Sequence, residues 1–425
     1  MAHNKKYLDR MYMFAFIARQ PILDRDKDVF AYELFFRDGK NNCYPDVERD
    51  EATTKRIAKN YQTLNLDDIS CSKKSFINFQ SETLMSGLPA SLDPENVVVE
   101  LVTGRNEDSS LLDVCKHVKN MGYKIALEDC RLKPSWDDFI PYVDMLKVNS
   151  NHDNLDFFEK NVNRFIDANV QLIADKVETQ ESFSIFRDMG FDYFQGYFFV
   201  RPMSVSNKNL PTSKLTLVEL MGASSSESFD FESINSVIEH DVGLSYMLLR
   251  FINNPLINKR YKITSLRHAL NYMGEVEIKK FIALLALANL SDDKPLELLH
   301  LSLVRGRFCD LVGTEKNVGS NPPTAFLVGL FSMLDALLDQ EMEVLIEKLP
   351  LVDEVKEALC GGQNDLSMYL MLVKAFESGN WLKVIRISKI LELDQKLLHS
   401  LFNEAILWGN GVRRSISPHF PATKV

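Results

Sequence analysis

The chain has 425 residues, of which 45% are hydrophobic and 25% charged, and its formal net charge is −10 at pH 7. This length predicts two domains, and the composition is typical of a folded, soluble protein. The negative net charge argues against bulk attraction to nucleic acid or to an anionic membrane, so we expect no nucleic-acid partner.

The cysteines and the apolar runs indicate the compartment. The six cysteines are scattered without a Cys-x-x-Cys motif, which indicates reduced cytosolic thiols rather than disulfides or a zinc site. The longest apolar run, residues 281–290, is shorter than the roughly 20 residues that cross a bilayer. The N-terminal apolar run, residues 11–18, is interrupted by Arg19, so we expect no signal peptide, no membrane segment and a cytoplasmic location.

The first 200 residues alternate short apolar runs with amphipathic segments. The predicted strands are residues 14–18, 29–36, 76–79, 97–102, 124–127, 145–148, 172–174 and 197–200. Predicted helices between them include residues 110–121, 155–168 and 179–189. Repeated strand–helix units indicate parallel strands with helical crossovers. About eight strands favour a closed β/α barrel, and an open doubly wound sheet is the alternative.

The second half of the chain has a different pattern. A polar stretch rich in Ser and Asn, residues 204–213, predicts a linker between domains 1–203 and 214–425. Beyond it, helical periodicity predicts an all-α domain. The predicted helices are residues 231–238, 243–252, 266–272, 276–290, 296–311, 325–338, 365–377, 381–390 and 395–407.

Polar side chains lie at or near the ends of the predicted strands, where β/α barrels collect their functional residues. They are Glu33, Arg37, Asn78, Glu100, Glu128, Asp129, Lys147, Asp175 and Gln195. Carboxylate and amide oxygens without a histidine favour Mg²⁺ or Mn²⁺ over zinc. Two such ions can clamp a phosphodiester and activate a water. Each residue alone has an ordinary structural explanation, and only their recurrence at successive strand ends indicates a site.

Ordered motifs in the first 202 residues carry a family resemblance. They are "QPI" at Gln20, "ELFFR" from Glu33 to Arg37, Asn78, Glu100, Lys147, and "QGYFFVRP" from Gln195 to Pro202. Together they resemble the EAL family of cyclic-di-GMP phosphodiesterases over roughly residues 14–202. The resemblance implies a β/α barrel with an antiparallel first strand. It also implies bis-(3′-5′)-cyclic dimeric GMP (cyclic-di-GMP) as the ligand.

The same resemblance implies residue roles. The implied metal ligands are Glu33, Asn78, Glu100, Glu128, Asp129 and Asp175. The implied ligand-binding residues are Gln20, Glu33, Leu34, Arg37, Gln195 and Pro202. Lys147 and Glu33 are the implied catalytic residues if the domain is active. The family's metal loop also contributes to a dimer interface, so a homodimer is compatible with the resemblance.

The second half resembles the HDOD domain, a helical relative of the HD phosphohydrolases. "EHDVGLSYMLLRFINNP" is similar to its opening helices, and "AFLVGLFSMLDAL" stands where an HD enzyme carries its His-Asp pair. Ser332 and Met333 occupy that place, so we expect no metal in this domain and a role in binding a protein partner. The EAL–HDOD order resembles YuxH-type bacterial signalling proteins over nearly the whole chain.

Several positions depart from the EAL pattern. The acid pair reads Glu128–Asp129 instead of Asp-Asp, and "CRLKPSW" replaces the glycine-rich loop that follows it. Asp175 and Lys176 replace the Glu-Gly of the next motif, and Asn149 replaces an aspartate. Small displacements disturb a paired-metal site. We therefore expect a degenerate, weakly active or inactive domain that acts as a receptor or scaffold. The alternatives are a slow, metal-dependent phosphodiesterase producing linear pGpG, or an unrelated use of the barrel.

Overall fold

A computed structural model of the protein describes residues 17–36, 69–79, 81–85, 92–102, 109–128, 134–150, 155–200, 212–253, 262–290, 294–318 and 321–416. The chain divides into two compact units. The first contains the chain up to Phe199, and the second contains most of the chain from Val200 onward. The predicted assignment of residues to domains and linker stays a proposal.

The first unit is a closed barrel of eight strands, which excludes the open sheet. The strands are β1 Ile17–Leu23, β2 Val29–Phe36, β3 Lys74–Phe79, β4 Val97–Val102, β5 Lys124–Glu128, β6 Met145–Asn149, β7 Gln171–Asp175 and β8 Tyr193–Gln195. β1 is antiparallel to both of its neighbours, and the strands from β2 to β8 pair in parallel. The implied antiparallel first strand is confirmed.

Helices follow several of the strands. They are α1 Ser81–Met85, α2 Ser109–Asn120, α3 Leu155–Asp167 and α4 Gln180–Asp188, with 3₁₀ segments at Pro134–Tyr142 and Phe198–Val200. The Thr179 side chain accepts a hydrogen bond from the Ser182 amide and so caps α4. The three predicted helices of this half are confirmed within two residues at each end.

Two predicted strands are wrong in position. The first strand was expected at residues 14–18 but runs over Ile17–Leu23, through the polar residues Arg19 and Gln20. The last was expected at residues 197–200, but the strand is Tyr193–Gln195 and the later segment is 3₁₀. Gly196 causes this second difference, because its φ of 145° ends the strand and its Cα packs against the Val177 backbone.

An apolar layer of described residues fills part of the barrel interior. It consists of Ile22, Ala31, Phe76, Val98, Ala126, Met145 and Ile173, with Tyr193 packed against them. Each strand contributes one of these side chains, so the layer closes the lower part of the barrel. The space on the carboxyl side of this layer is therefore the mouth.

The second unit is helical in the residues described. Its helices are α5 Thr212–Ser225, α6 Phe231–His240, α7 Val242–Ile252, α8 Leu266–Met273, α9 Glu275–Leu290, α10 Leu296–Glu315, α11 Thr324–Phe331, α12 Leu334–Leu338, α13 Met342–Lys348, α14 Asp353–Leu359, α15 Asp365–Glu377, α16 Trp381–Ile390 and α17 Gln395–Ile416. None of the helices in the described ranges has both the length and the apolar composition needed to cross a membrane.

Three features of the second unit differ from the prediction. The segment 325–338 is two helices, which are separated at Ser332 and Met333. The Ser332 hydroxyl donates to the Gly329 carbonyl at 2.8 Å, a local bond of the kind that competes with helix continuation. The last helix extends to Ile416. Sequence periodicity also missed α13 and α14, which are only two turns long, and α5, which begins at Thr212 inside the predicted linker.

Candidate functional site

A ring of polar side chains lies directly above the apolar layer of the barrel. Each member stands two positions from a residue of that layer, toward the mouth, and residues two apart in a strand project from the same face. The ring consists of Gln20, Glu33, Asn78, Glu100, Glu128, Lys147, Asp175 and Gln195. Eight strands thus place eight predicted polar residues at one level of the barrel.

Lys147 lies at the centre of this ring. Its Nζ is 2.7 Å from Glu33 Oε2 and 2.8 Å from Glu100 Oε1, and its side chain is only 2% exposed. Burial alone would lower the pKa of Lys147, but Glu100 and Glu33 hold it well above its usual value. The lysine is therefore a fixed positive charge between two carboxylates at neutral pH.

Glu33 accepts hydrogen bonds from three side chains. Asn78 Nδ2 donates to Oε1 at 2.9 Å, Lys147 Nζ donates to Oε2 at 2.7 Å, and Gln195 Nε2 donates to Oε2 at 2.5 Å. Gln195 Nε2 also donates to Gln20 Oε1 at 3.1 Å. This network joins residues from five strands, so the carboxylate is held in one orientation before any ligand arrives.

Several buried oxygens of the ring have no hydrogen-bond donor among the described residues. They are Asn78 Oδ1, Glu100 Oε2 and Gln195 Oε1. Burial raises the pKa of the Glu100 carboxyl well above its usual range, and Glu33 raises it further against the effect of Lys147. Unpaired buried oxygens are costly, and a hard cation is one partner that would satisfy them.

Asp175 and Glu128 complete the acidic part of the ring. Burial raises the pKa of Asp175, while Lys147 lowers it. The Asp175 carboxylate accepts a hydrogen bond from the Lys176 amide at 2.8 Å. Glu128 lies at the end of β5, where its Cα pairs with that of Lys147. The donor set fits a hard divalent ion, with Glu33, Asn78, Glu100, Glu128 and Asp175 as the residues that would hold it.

The described residues do not contain a preformed cluster for such an ion. No group of three acidic, histidine or cysteine side chains gathers in a metal-binding arrangement within the described ranges. Lys147, and not a free space, lies between Glu33 and Glu100. Asp129, Arg37 and Pro202, three of the predicted site residues, lie outside the described residues.

Two positions differ from the expected set. Leu34 neighbours Glu33 on β2, so it projects from the opposite face of the strand, where it is fully buried. It therefore belongs to the core and not to the ring, and its ligand-binding role stays a prediction. Asn149 was not among the predicted site residues, although it shares the face of Lys147 and pairs with Asp175 across β6 and β7. Its spacing of two from Lys147 is the signal that identifies it.

The place of the His-Asp pair in the second unit is occupied by buried residues. Ser332 and Met333 separate α11 from α12, and both are at most 8% exposed. The Arg305 guanidinium donates to Ser332 Oγ at 3.2 Å. A hydroxyl and a thioether paired with an arginine are not a metal-ligand set. This agrees with the expectation that the second unit holds no metal, which stays a prediction.

Comparison with known proteins identifies the class. The EAL domain family matches residues 141–202, which carry Lys147, Asp175 and Gln195, and the HDOD domain family matches residues 210–342. A Vibrio cholerae serotype O1 protein described as the cyclic di-GMP phosphodiesterase CdgJ is 33% identical over 97% of this chain and 96% of its own length. The Bacillus subtilis protein YuxH is 32% identical over 93% of this chain and 98% of its own length.

The chain therefore belongs to the family of proteins that combine an EAL domain with an HDOD domain. Among solved structures, a standalone EAL protein from Vibrio cholerae O395 is 22% identical and covers 44% of this chain and 91% of its own. Its TM-score is 0.33, so the assignment rests on the sequence relationships and on the barrel itself.

Proposed function

We propose that the protein acts in cyclic-di-GMP signalling, as a receptor whose barrel mouth binds the nucleotide and hydrolyses it slowly or not at all. The observation that carries this proposal is the position of Lys147 between Glu33 and Glu100. Lys147 occupies the position between the two carboxylates, so a divalent ion there would meet a fixed positive charge. The similarity to CdgJ supports the nucleotide class.

The departures at the mouth support weak turnover. Glu128 is one methylene longer than the aspartate of the EAL pattern. Asn149 is neutral where that pattern has an aspartate, and it pairs with Asp175 across β6 and β7. The first change lies in the ring and the second lies beside it, and both disfavour a tightly held pair of ions. A catalytically weak receptor fits these changes better than an efficient hydrolase.

Metal-dependent phosphodiesterase activity is the second candidate. The unpaired oxygens Asn78 Oδ1 and Glu100 Oε2 favour it, because they are ligands of the kind that Mg²⁺ or Mn²⁺ takes. A bound divalent ion would offset phosphate charge and activate a water as the nucleophile. Within this chain, Lys147 would hold positive charge beside the phosphate, and Glu33 would keep Lys147 in place.

Calorimetric titration of the full chain with cyclic-di-GMP, with and without Mg²⁺, tests the receptor function. Glu33→Gln removes the charge that holds Lys147, so we expect it to weaken binding by about tenfold or more. Glu159→Gln, an exposed acid on α3, is the matched control and should bind as the parent does. Absence of binding by the parent protein in both conditions would contradict the proposal.

A turnover assay separates the two candidates. With Mg²⁺ or Mn²⁺ in excess, we expect conversion to linear pGpG well below about 1 s⁻¹, the low end of ordinary enzyme rates. Turnover at or above that rate, lost in Lys147→Met, would establish the phosphodiesterase function instead.

The helical unit is proposed as the output module that contacts a protein partner. Its Ser332–Met333 segment offers no metal-ligand set, so binding is the function left to it. Nucleotide binding can change partner affinity only if the protein has two conformations that differ in their affinity for the nucleotide. Capture of partners with the full chain, with Glu33→Gln and with the helical unit deleted tests this. Unchanged capture by the barrel alone would contradict the role.

A further inference from the structure

The polar ring has an excess of negative charge for a site that takes a phosphodiester. Four of its members are acids, Glu33, Glu100, Glu128 and Asp175, and Lys147 is its only basic member. Cyclic-di-GMP carries one negative charge on each of its two phosphodiester groups. Like charges repel more strongly in a partly buried site than in water. Further positive charge at the mouth would therefore favour binding without a divalent ion.

Lys176 lies at the edge of this mouth, directly after β7. Both of its neighbours are fixed by backbone hydrogen bonds, because the Ser150 amide donates to the Asp175 carbonyl at 2.8 Å and the Val177 amide donates to the Gln195 carbonyl at 2.9 Å. The lysine is thus held between two strand ends that carry ring residues. Its position follows from the barrel and not from a free loop.

The backbone and side chain of Lys176 both point to a role beyond packing. Its φ of 58° lies in the left-handed region, which a residue with a long side chain rarely adopts. Its side chain is exposed, and its ammonium makes no ion pair or hydrogen bond with another residue in the described part of the chain.

We propose that Lys176 is a phosphate-binding residue that allows the barrel to bind cyclic-di-GMP without a divalent cation. This inference rests on the proposed receptor function and names the residue that makes metal-free binding favourable. The ammonium is already exposed and unpaired among the described residues, so a phosphate oxygen can pair with it without first breaking an ion pair.

Binding of cyclic-di-GMP to the full chain in EDTA tests the inference. Lys176→Met removes the charge and keeps a side chain of similar length on the same backbone, so we expect affinity to fall by about tenfold. Lys176→Arg keeps the charge and should stay within about threefold of the parent. Lys124→Met is the control, because Lys124 is exposed at the amino end of β5, away from the mouth. Thermal unfolding of each variant checks that the barrel is folded.

The outcomes distinguish this inference from the function on which it rests. Weaker binding only in Lys176→Met supports the inference, and so does a weaker salt dependence of binding in that variant. Equal affinity of Lys176→Met and the parent in EDTA would overturn it. Binding by the parent in Mg²⁺ but not in EDTA would also overturn it and would leave the receptor function intact. No binding in either condition would overturn both.

Discussion

Lys147 is the residue on which the arrangement of the barrel mouth depends. It is the shared partner of two buried carboxylates, Glu33 and Glu100. Burying charges is costly, and the cost is offset only while each charge has a partner. The same contact therefore matters for both the stability of the barrel and the shape of the site.

Replacing Lys147 tests this dependence. We expect Lys147→Met to lower the free energy of unfolding by about 3 kcal/mol or more, because two buried carboxylates lose their cation. The loss should shrink as the pH falls through the raised pKa of Glu100, where that carboxyl becomes neutral. Urea unfolding at several pH values measures both effects.

Two comparisons make the Lys147 test specific. Lys124→Met, at an exposed position, should change the unfolding free energy by less than about 0.5 kcal/mol. Lys147→Met combined with Glu100→Gln should recover part of the loss, since it removes one of the stranded charges. A urea midpoint for Lys147→Met equal to that of the parent would contradict the interpretation.

The cysteines give a second residue-scale prediction. Burial raises the pKa of Cys115 to about 12, and Cys360 is exposed with a pKa raised by partial burial and by Glu343. Alkylation needs the thiolate, so we expect Cys360 to react before Cys115, faster as the pH rises, and Cys115 to react only on unfolding. Glu343→Gln should speed labelling of Cys360 near neutral pH. Peptide mass spectrometry identifies each site, and early labelling of Cys115 would contradict the prediction.

At the scale of single elements, the end of β8 positions Gln195. Gly196 follows it with a φ of 145°, and a Cβ at this position would overlap the backbone of Val177. Glycine is therefore needed both for the backbone angle and for the space. A strand that ended differently would move the Gln195 amide away from Glu33.

Substituting this glycine has a matched control within the same barrel. Gly122 also has a positive φ, of 88°, but a Cβ added there would meet open space. We therefore expect Gly122→Ala to lower the free energy of unfolding by about 1 kcal/mol. Gly196→Ala should cost clearly more and should also weaken cyclic-di-GMP binding. Equal losses of stability with unchanged binding would contradict the role of Gly196 in placing Gln195.

At the scale of the whole molecule, the chain is expected to behave as two folding units. The segment 203–213 has three Ser and two Asn residues, a polar composition that proteases cut readily when it connects domains. We expect limited proteolysis to cut there first and to leave two fragments with separate cooperative unfolding transitions. A first cut within residues 325–338, with 203–213 protected, would count against the division.

Some features of this protein follow from the sequence by itself. Strand–helix alternation predicted the barrel, and helical periodicity predicted most of the second unit, because repeated burial of one face leaves a clear pattern. The polar residues at strand ends could also be identified from the sequence, because each one lies within or directly after an apolar run. Short helices such as α13 and α14 were missed because two turns carry too little periodicity.

The tertiary structure decided what the local pattern does not contain. Whether the sheet closes, and which of two neighbours such as Glu33 and Leu34 faces the mouth, depends on pairing between strands far apart in sequence. The pairing of Lys147 with Glu33, 114 residues away along the chain, likewise exists only once the barrel has closed. Sequence indicated which side chains are polar, and barrel closure determined which of them meet, because a buried charge takes its partner from whichever strand lies beside it.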